Sequence, residues 1–376
     1  MATTRASTPP RGRTSGVVRM GNASTYNGFY LRDNLASDGE VPALAPYNQC
    51  PDIIQSPTAV SDPESAFSTP ASWDETYQTA PMPGENYYYV RGLNGSQQAF
   101  SGELSLFCIP AELLLFPALW KNSPLQTASG SETVPAVHAA PGHIGVGAEP
   151  FVLQWPTPSR AHSAETFPSF IAQNTAQPIP TINSWIQLSQ LMTQQLNFGW
   201  RNTVTFDPLV NEGMMLHEIG LTIPRTVGKS GQIQLMLTLY GFIGDTVSLI
   251  ADRYTPEQKP IQILPTRVTQ DGQSLGLTVT LNPGFAGHLT VQYWNTSAKV
   301  PAAGSTITLS ANYIVPHEQH ASAVAAGVLD SQYSAAIGRS LLGASLGAAQ
   351  PGVTPQQVAP VGAATFIATP SARDAE

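Results

Sequence analysis

Few side chains in this chain of 376 residues are spaced for chemistry. Gly343-Ala-Ser345-Leu-Gly347 has the spacing of a nucleophile elbow, which holds a serine Oγ on a sharp turn between a strand and a helix. An alanine-rich helical pattern precedes Ser345 in place of a strand, and no histidine follows it to act as base. His317-Glu318-Gln319-His320 and His217-Glu218 set imidazoles beside carboxylates. Neither has the His-Glu-x-x-His spacing, and two ligands do not complete a zinc shell, so strand-end caps or satisfied surface histidines are expected. Asp245, Asp252 and Asp271 fall near expected loop ends, where they could share a Ca²⁺ between subunits, although their spacing is not that of a calcium loop. No phosphate-cradling loop, dinucleotide-binding glycine turn or Cys-x-x-Cys is present. The expectation is a protein without catalytic residues, small-molecule substrate or cofactor, save that Asp245, Asp252 and Asp271 could hold a structural Ca²⁺ at subunit interfaces.

The charge distribution is more informative. Residues 1–32 carry Arg5, Arg11, Arg13, Arg19 and Arg32 and no acid, while all 25 acids lie in the remainder. Pro9-Pro10-Arg11-Gly12-Arg13 cannot form a helix or a central strand. A basic arm on an acidic body (net charge −8) is suited to a polyanion, and Arg5, Arg11, Arg13 and Arg19 are the candidates for contacting phosphates without reading sequence. Charged residues make up 11% of the chain, less than half the usual quarter or so, yet 42% is hydrophobic. That balance argues for a folded body with much neutral surface, which burial against other subunits would cover.

Cys50 and Cys108 define no disulfide framework, and Cys108 sits in an apolar run that reads as buried. The first 28 residues lack the apolar core of a secretion signal, and no run of about 18 apolar residues could span a membrane. Three glycosylation sequons, at Asn22, Asn94 and Asn295, are therefore read as chance.

The elements that would carry these residues are strands. Between residues 232 and 242, Ile233, Leu235, Leu237 and Leu239 alternate with Gln234, Met236, Thr238 and Tyr240, a period of two with unlike faces. Residues 203–206, 215–224, 275–281, 288–294 and 305–315 read as further strands, with Asn282-Pro283-Gly284 as a turn. Tyr87 to Val90 and residues 103–109 read as the first firm strands, and residues 151–155 as another. One helix is expected over residues 184–197. Ser184 is its N-cap, Gln187 lies three positions on, and Trp185, Leu188, Leu191, Met192 and Leu196 have helical spacing.

Residues 34–84, with Trp73 and Tyr77 as isolated anchors, read as an extended segment, and residues 122–150 and 156–180 as long loops. After residue 316, Val324, Val328, Ile337, Leu341 and Leu346 recur at helical intervals, and residues 350–376 read as extended low-complexity chain. Residues 321–350 have a weak apolar stripe that would pack under the body in preference to lying on a membrane. This divides the chain into an arm and extended segment (1–84), a β domain (85–316) and a partly helical tail (317–376). The fold class is all-β, a sandwich or barrel of short strands with one or two short helices.

An acid-free arginine arm, about eight strands between Tyr87 and Val315, long Pro/Gly/Ser/Thr loops, one helix between early strands and an Ala/Gly-rich tail together resemble the coat proteins of small non-enveloped icosahedral viruses. The resemblance implies an eight-stranded antiparallel jelly-roll sandwich, and self-assembly into an icosahedral shell around a viral nucleic acid. It also implies a place in the virion, with assembly inside the host cell and contact with a host receptor. The tail loosely resembles the membrane-active C-terminal peptides of insect nodavirus and tetravirus coats, but has no Asn-Ala junction near its start for self-cleavage. The runner-up is a β-sandwich adhesin or carbohydrate-binding surface protein, with Trp200, Tyr293 and Trp294 stacking on sugars.

Overall fold

The alternation between residues 232 and 242 becomes the Gly231–Tyr240 strand, with Ile233, Leu235, Leu237 and Leu239 fully buried. A computed structural model describes residues 24–77, 81–156, 165–209, 213–329 and 357–369. Gly231–Tyr240 lies in a five-stranded sheet ordered Thr203–Phe206, Val358–Ala368, Thr306–Ile314, Gly231–Tyr240, Gln273–Leu281. A second five-stranded sheet runs Glu165–Thr166, Met214–Thr222, Ala286–Trp294, Thr246–Tyr254, Pro260–Arg267. One cluster of buried side chains draws on both, Leu235, Leu237 and Leu309 from the first and Ile219, Leu249 and Val291 from the second. This is sandwich packing, in which the strands' apolar faces meet and their alternate residues turn away. Among the described residues from Met214–Thr222 onward, each strand lies in the other sheet from the one before it except at two steps: Thr246–Tyr254 to Pro260–Arg267, and Thr306–Ile314 to Val358–Ala368.

The all-β expectation holds, but among the described residues the strands occupy four sheets in place of a single eight-stranded sandwich. The largest has ten strands, centred on Gly84–Asn94, Glu103–Pro110 and Pro168–Asn174; the first two were expected as strands, as was Phe151–Trp155, but six of the ten come from stretches expected to be arm, extended segment or loop. Phe29–Tyr30 and Ile53–Ser56 both pair with Gly84–Asn94, and Phe29, Leu31, Cys50 and Ile53 are buried in its core. The expected extended segment is thus part of the body. The expected loop 122–150 supplies Gln126–Thr127, Val134–Val137 and Ile144–Gly147. Pro168–Asn174, expected to be loop, is buried along its whole length between Glu103–Pro110 and Phe198–Arg201. Ser24–Thr25 and Glu40–Val41 form the fourth, two-stranded sheet.

The tail holds the clearest correction. Residues 350–376 were expected to be extended low-complexity chain, yet Val358–Ala368 is a central, almost wholly buried strand. It runs parallel to Thr203–Phe206 and antiparallel to Thr306–Ile314. Its small residues permit this: a side chain at Gly362 would collide with the Leu113 carbonyl oxygen. Pro360, which cannot donate to a ladder, stands at the register shift opposite Asn312. The apolar tail positions Ile337, Leu341 and Leu346, and Ser345 with its glycines, lie outside the described residues. Before them, His320–Ala325 forms a short helix.

A buried polar seam ties the ten-stranded sheet to this last strand. The Asn202 side-chain amide donates to the carbonyls of Glu112 (2.8 Å) and Ala363 (2.9 Å) and accepts from Ser169 Oγ (2.9 Å). Asn48 donates to Asn202 O and to Thr365 Oγ1, both at 3.0 Å. The Trp185–Gln194 helix forms as its cap signal requires. Ser184 Oγ accepts from Gln187 N (3.3 Å) while the Gln187 side chain accepts from Asn183 N (2.9 Å), one residue earlier than a standard capping box. Trp185, Leu188 and Leu191 of this helix join the sandwich core, and Met192 packs with Tyr30, Ala43 and Tyr47.

Candidate assembly and ligand surfaces

The arginines divide between two fates. Arg5, Arg11, Arg13 and Arg19 lie outside the described residues, and Arg32, counted with the same basic arm, is inside the core. Its backbone N–H donates to Asp52 Oδ2 (2.8 Å) and its Nη2 to Asp52 Oδ1 (2.6 Å), where Arg91 Nε also donates (3.1 Å). The remaining guanidinium N–H groups turn to carbonyls, from Arg32 Nη1 to Trp73 (2.9 Å) and from Arg91 Nη1 to Ser72 (2.8 Å). The Arg32 guanidinium lies 3.3 Å from the centre of the Trp73 ring. Trp73, in sequence an isolated anchor, therefore pins residues 63–77 over a buried charge cluster. These two cations are consumed by the fold and face no polyanion. Beside them Asp33 is buried with neither carboxylate oxygen hydrogen-bonded. Burial, reinforced by Glu40 and Asp52, raises its carboxyl well above the ordinary range.

The three aspartates proposed to share a Ca²⁺ do not converge. Asp245 is buried and accepts from Tyr293 Oη (3.0 Å) and Ser297 N (2.9 Å). Asp252 accepts from His288 N (2.7 Å), and Asp271 from Gly241 N (2.7 Å). Each is engaged by separate donors distant in the chain, and among the described residues no three carboxylate, imidazole or thiol groups gather as metal ligands. His320 bonds the Val315 carbonyl (3.0 Å), the strand-end cap that its position suggested. His217 is buried between Phe167 and Phe366, the inner face of a strand having decided its fate. Cys50 and Cys108 are free thiols, and burial pushes that of Cys108 up to about 12. Asn94 is buried and donates to Gln98 O and Ala139 O, which leaves no room for a glycan.

Two surfaces remain as sites. The first is the outward face of the Met214–Thr222, Ala286–Trp294, Thr246–Tyr254 sheet. Period two sends Glu218, Thr290, Gln292, Ile250 and Asp252 outward while Ile219, Leu249 and Val291 turn in. Ile250 is 40% exposed, Tyr254 62%, and Leu264 on the edge strand 65%. Pro260 and Pro265 stand on that edge strand, a placement that blunts edge-to-edge pairing and leaves the face as the available contact. Where this sheet meets the front of the molecule, Glu112 lies against Gly220 and accepts from Thr222 Oγ1 (2.7 Å). Burial pushes its carboxyl up to about 7, against the opposing pull of the Thr222 hydrogen bond and of His288. No sequence signal marks Glu112, because its partner Gly220 is distant in the chain.

The second surface is a groove of about 450 Å³ between residues 26–29, 96–102 and 174–177. Tyr26 and Phe100, both half-buried, give it aromatic walls, and Phe100 is backed by the buried Phe29 ring stacked on it with centroids 4.5 Å apart. The runner-up's aromatics are placed elsewhere. Trp200 and Tyr293 are core residues, and of the three only Trp294 reaches the surface.

No family model and no curated protein matches the chain. Among solved structures, the C-terminal domain of the AgI/II polypeptide BspA of Streptococcus agalactiae is 7% identical over 64% of this chain and 91% of its own, with a TM-score of 0.17. The CupB6 tip adhesin of Pseudomonas aeruginosa is 10% identical over 64% and 88%, with a TM-score of 0.17. A structure of Gaeumannomyces graminis manganese lipoxygenase with part of Komagataella pastoris zonadhesin is 10% identical over 70% and 89%, with a TM-score of 0.19. Likenesses at these scores assign neither fold nor function.

Proposed function

We propose that the chain is a structural subunit that associates with copies of itself into a closed shell around nucleic acid, as the viral coat of the sequence resemblance would. The observation that carries this reading is the outward sheet face, with Ile250, Tyr254 and Leu264 exposed beside Thr290 and Gln292 and a few ionisable side chains, Glu218, Asp252 and His288. Exposed apolar side chains on a sheet face stay soluble when a partner covers them, and a shell repeats one such modest contact by symmetry. In this reading the two five-stranded sheets are the shell wall, the counterpart of the jelly roll. Arg5, Arg11, Arg13 and Arg19 meet phosphates from the inside. A receptor would meet the outer loops, and the virion is the site of action. The alternative, an adhesin-like surface protein, is favoured by the aromatic groove alone.

Electron micrographs and sedimentation of the purified chain test the proposal. Particles, or a steep rise in mass with concentration, are expected, and the Ile250→Glu/Leu264→Glu double variant is expected to stay monomeric with its melting temperature unchanged. A wild-type chain that remains monomeric at high concentration across pH and salt would overturn it.

A further inference from the structure

The groove's lining contains no Asp, Glu, Lys, Arg or His. A phosphate or carboxylate ligand would find no cation there, and a polyamine no carboxylate. What the groove offers is aromatic carbon beside neutral hydrogen-bonding groups. The side chains of Asn27, Gln98, Ser101 and Gln177 line it and make no hydrogen bond to any other described residue. Amides and a hydroxyl left free beside aromatic walls match a pyranose, which presents hydroxyls at its rim and a C–H face for aromatic carbon. The volume is within the range of roughly 300–1,000 Å³ typical of small-molecule sites.

The walls are also fixed before any ligand arrives. Asn94 Nδ2 donates to the Gln98 carbonyl (2.7 Å) and to that of Ala139 (2.8 Å), and Ser96 Oγ bonds Asn94 Oδ1 (2.7 Å). Gly95 N donates to Gly28 O (2.9 Å), joining the loop to the segment that carries Tyr26 and Phe29. On the third side Asn174 donates its amide to the Phe29 carbonyl. The Asn94 side chain, which as a sequon could have carried a sugar, instead holds the loop that lines the groove. A wall held this way loses little conformational entropy on binding, which a weak neutral ligand needs.

From this geometry we infer that the groove binds a neutral saccharide of one or two rings. The inference goes beyond the shell reading and is independent of it, since a monomer carries the whole groove. The test is saturation-transfer-difference NMR on the full chain with methyl α-mannoside, methyl β-galactoside, N-acetylglucosamine and lactose, with 3′-sialyllactose and a neutral tetrapeptide as comparison ligands. At least one neutral sugar is expected to bind, with transfer strongest at its ring C–H protons. The Gln98→Ala/Gln177→Ala variant, which removes two unbonded side chains, is expected to weaken that sugar at least tenfold while melting temperature and assembly are unchanged. Absence of transfer to every neutral sugar at millimolar concentration would overturn the assignment. So would binding that survives the double variant, or binding confined to sialyllactose or the peptide. Any of these outcomes would leave the assembly test untouched.

Discussion

The ten-stranded sheet and the pair of five-stranded sheets behind it reach burial by different means. Behind, long strands of two facing sheets, such as Gly231–Tyr240 and Met214–Thr222, set leucine and isoleucine into one largely apolar core. In front, ten strands, most of them short, meet around Arg32, Asp52, Arg91, Asn94, Asn174 and Asn202, all buried. Many chain crossings leave carbonyls and N–H groups without ladder partners, and buried guanidinium and amide groups satisfy them. The front region therefore depends on a few polar contacts, each hard to replace, whereas the sandwich spreads its stability over many interchangeable ones.

That contrast is sharpest at Asp52. Asp52→Asn removes the anion that two buried guanidiniums share, and is expected to destabilise by about 3–5 kcal/mol. Urea unfolding followed by Trp fluorescence measures this. A volume-conserving change behind, Leu235→Met, should cost under about 1.5 kcal/mol in the same assay. Equal losses would break the comparison.

The boundary between the regions is tested next. Glu112 has a folded pKa of about 7 against an unfolded value of 4.5, so the folded chain holds a proton that the unfolded chain releases. Its contribution is therefore full below pH 4.5, declines as pH rises, and is gone above about 7. Glu112→Gln should abolish that decline, leaving the variant about 2 kcal/mol more stable than the parent at pH 8, after allowance for its partial exposure. Unfolding free energies at pH 4, 6 and 8 read the effect, and parallel curves for parent and variant would remove Glu112 from the account.

The smallest effect is expected at the helix that touches both regions. Ser184→Ala removes the hydroxyl that caps Gln187 N and should cost about 1 kcal/mol by thermal melting. A loss several times larger would mean that the cap also holds the two regions in register.

How much of this was legible follows from the same contrast. The sandwich strands could be read because one wet and one dry face impose a period of two, as at Ile233, Leu235 and Leu237. The helix at Trp185–Gln194 could be read because its cap is local. Pro168–Asn174 is buried on both faces and shows no alternation, so it passed for loop. The groove was invisible for another reason: Tyr26, Gln98 and Gln177 are far apart in the chain and of unremarkable type.

The sequence by itself determined the β class, the strands with unlike faces, the capped helix and the charge imbalance of the first 32 residues, because each is written in neighbouring residues. Only the tertiary structure decided which arginines are spent inside, that Val358–Ala368 completes a sheet, and that uncharged side chains from three segments line one groove. Those outcomes turn on contacts between residues tens to hundreds of positions apart. Such contacts form only when the whole chain has met the cost of ordering its backbone, and no local pattern records them.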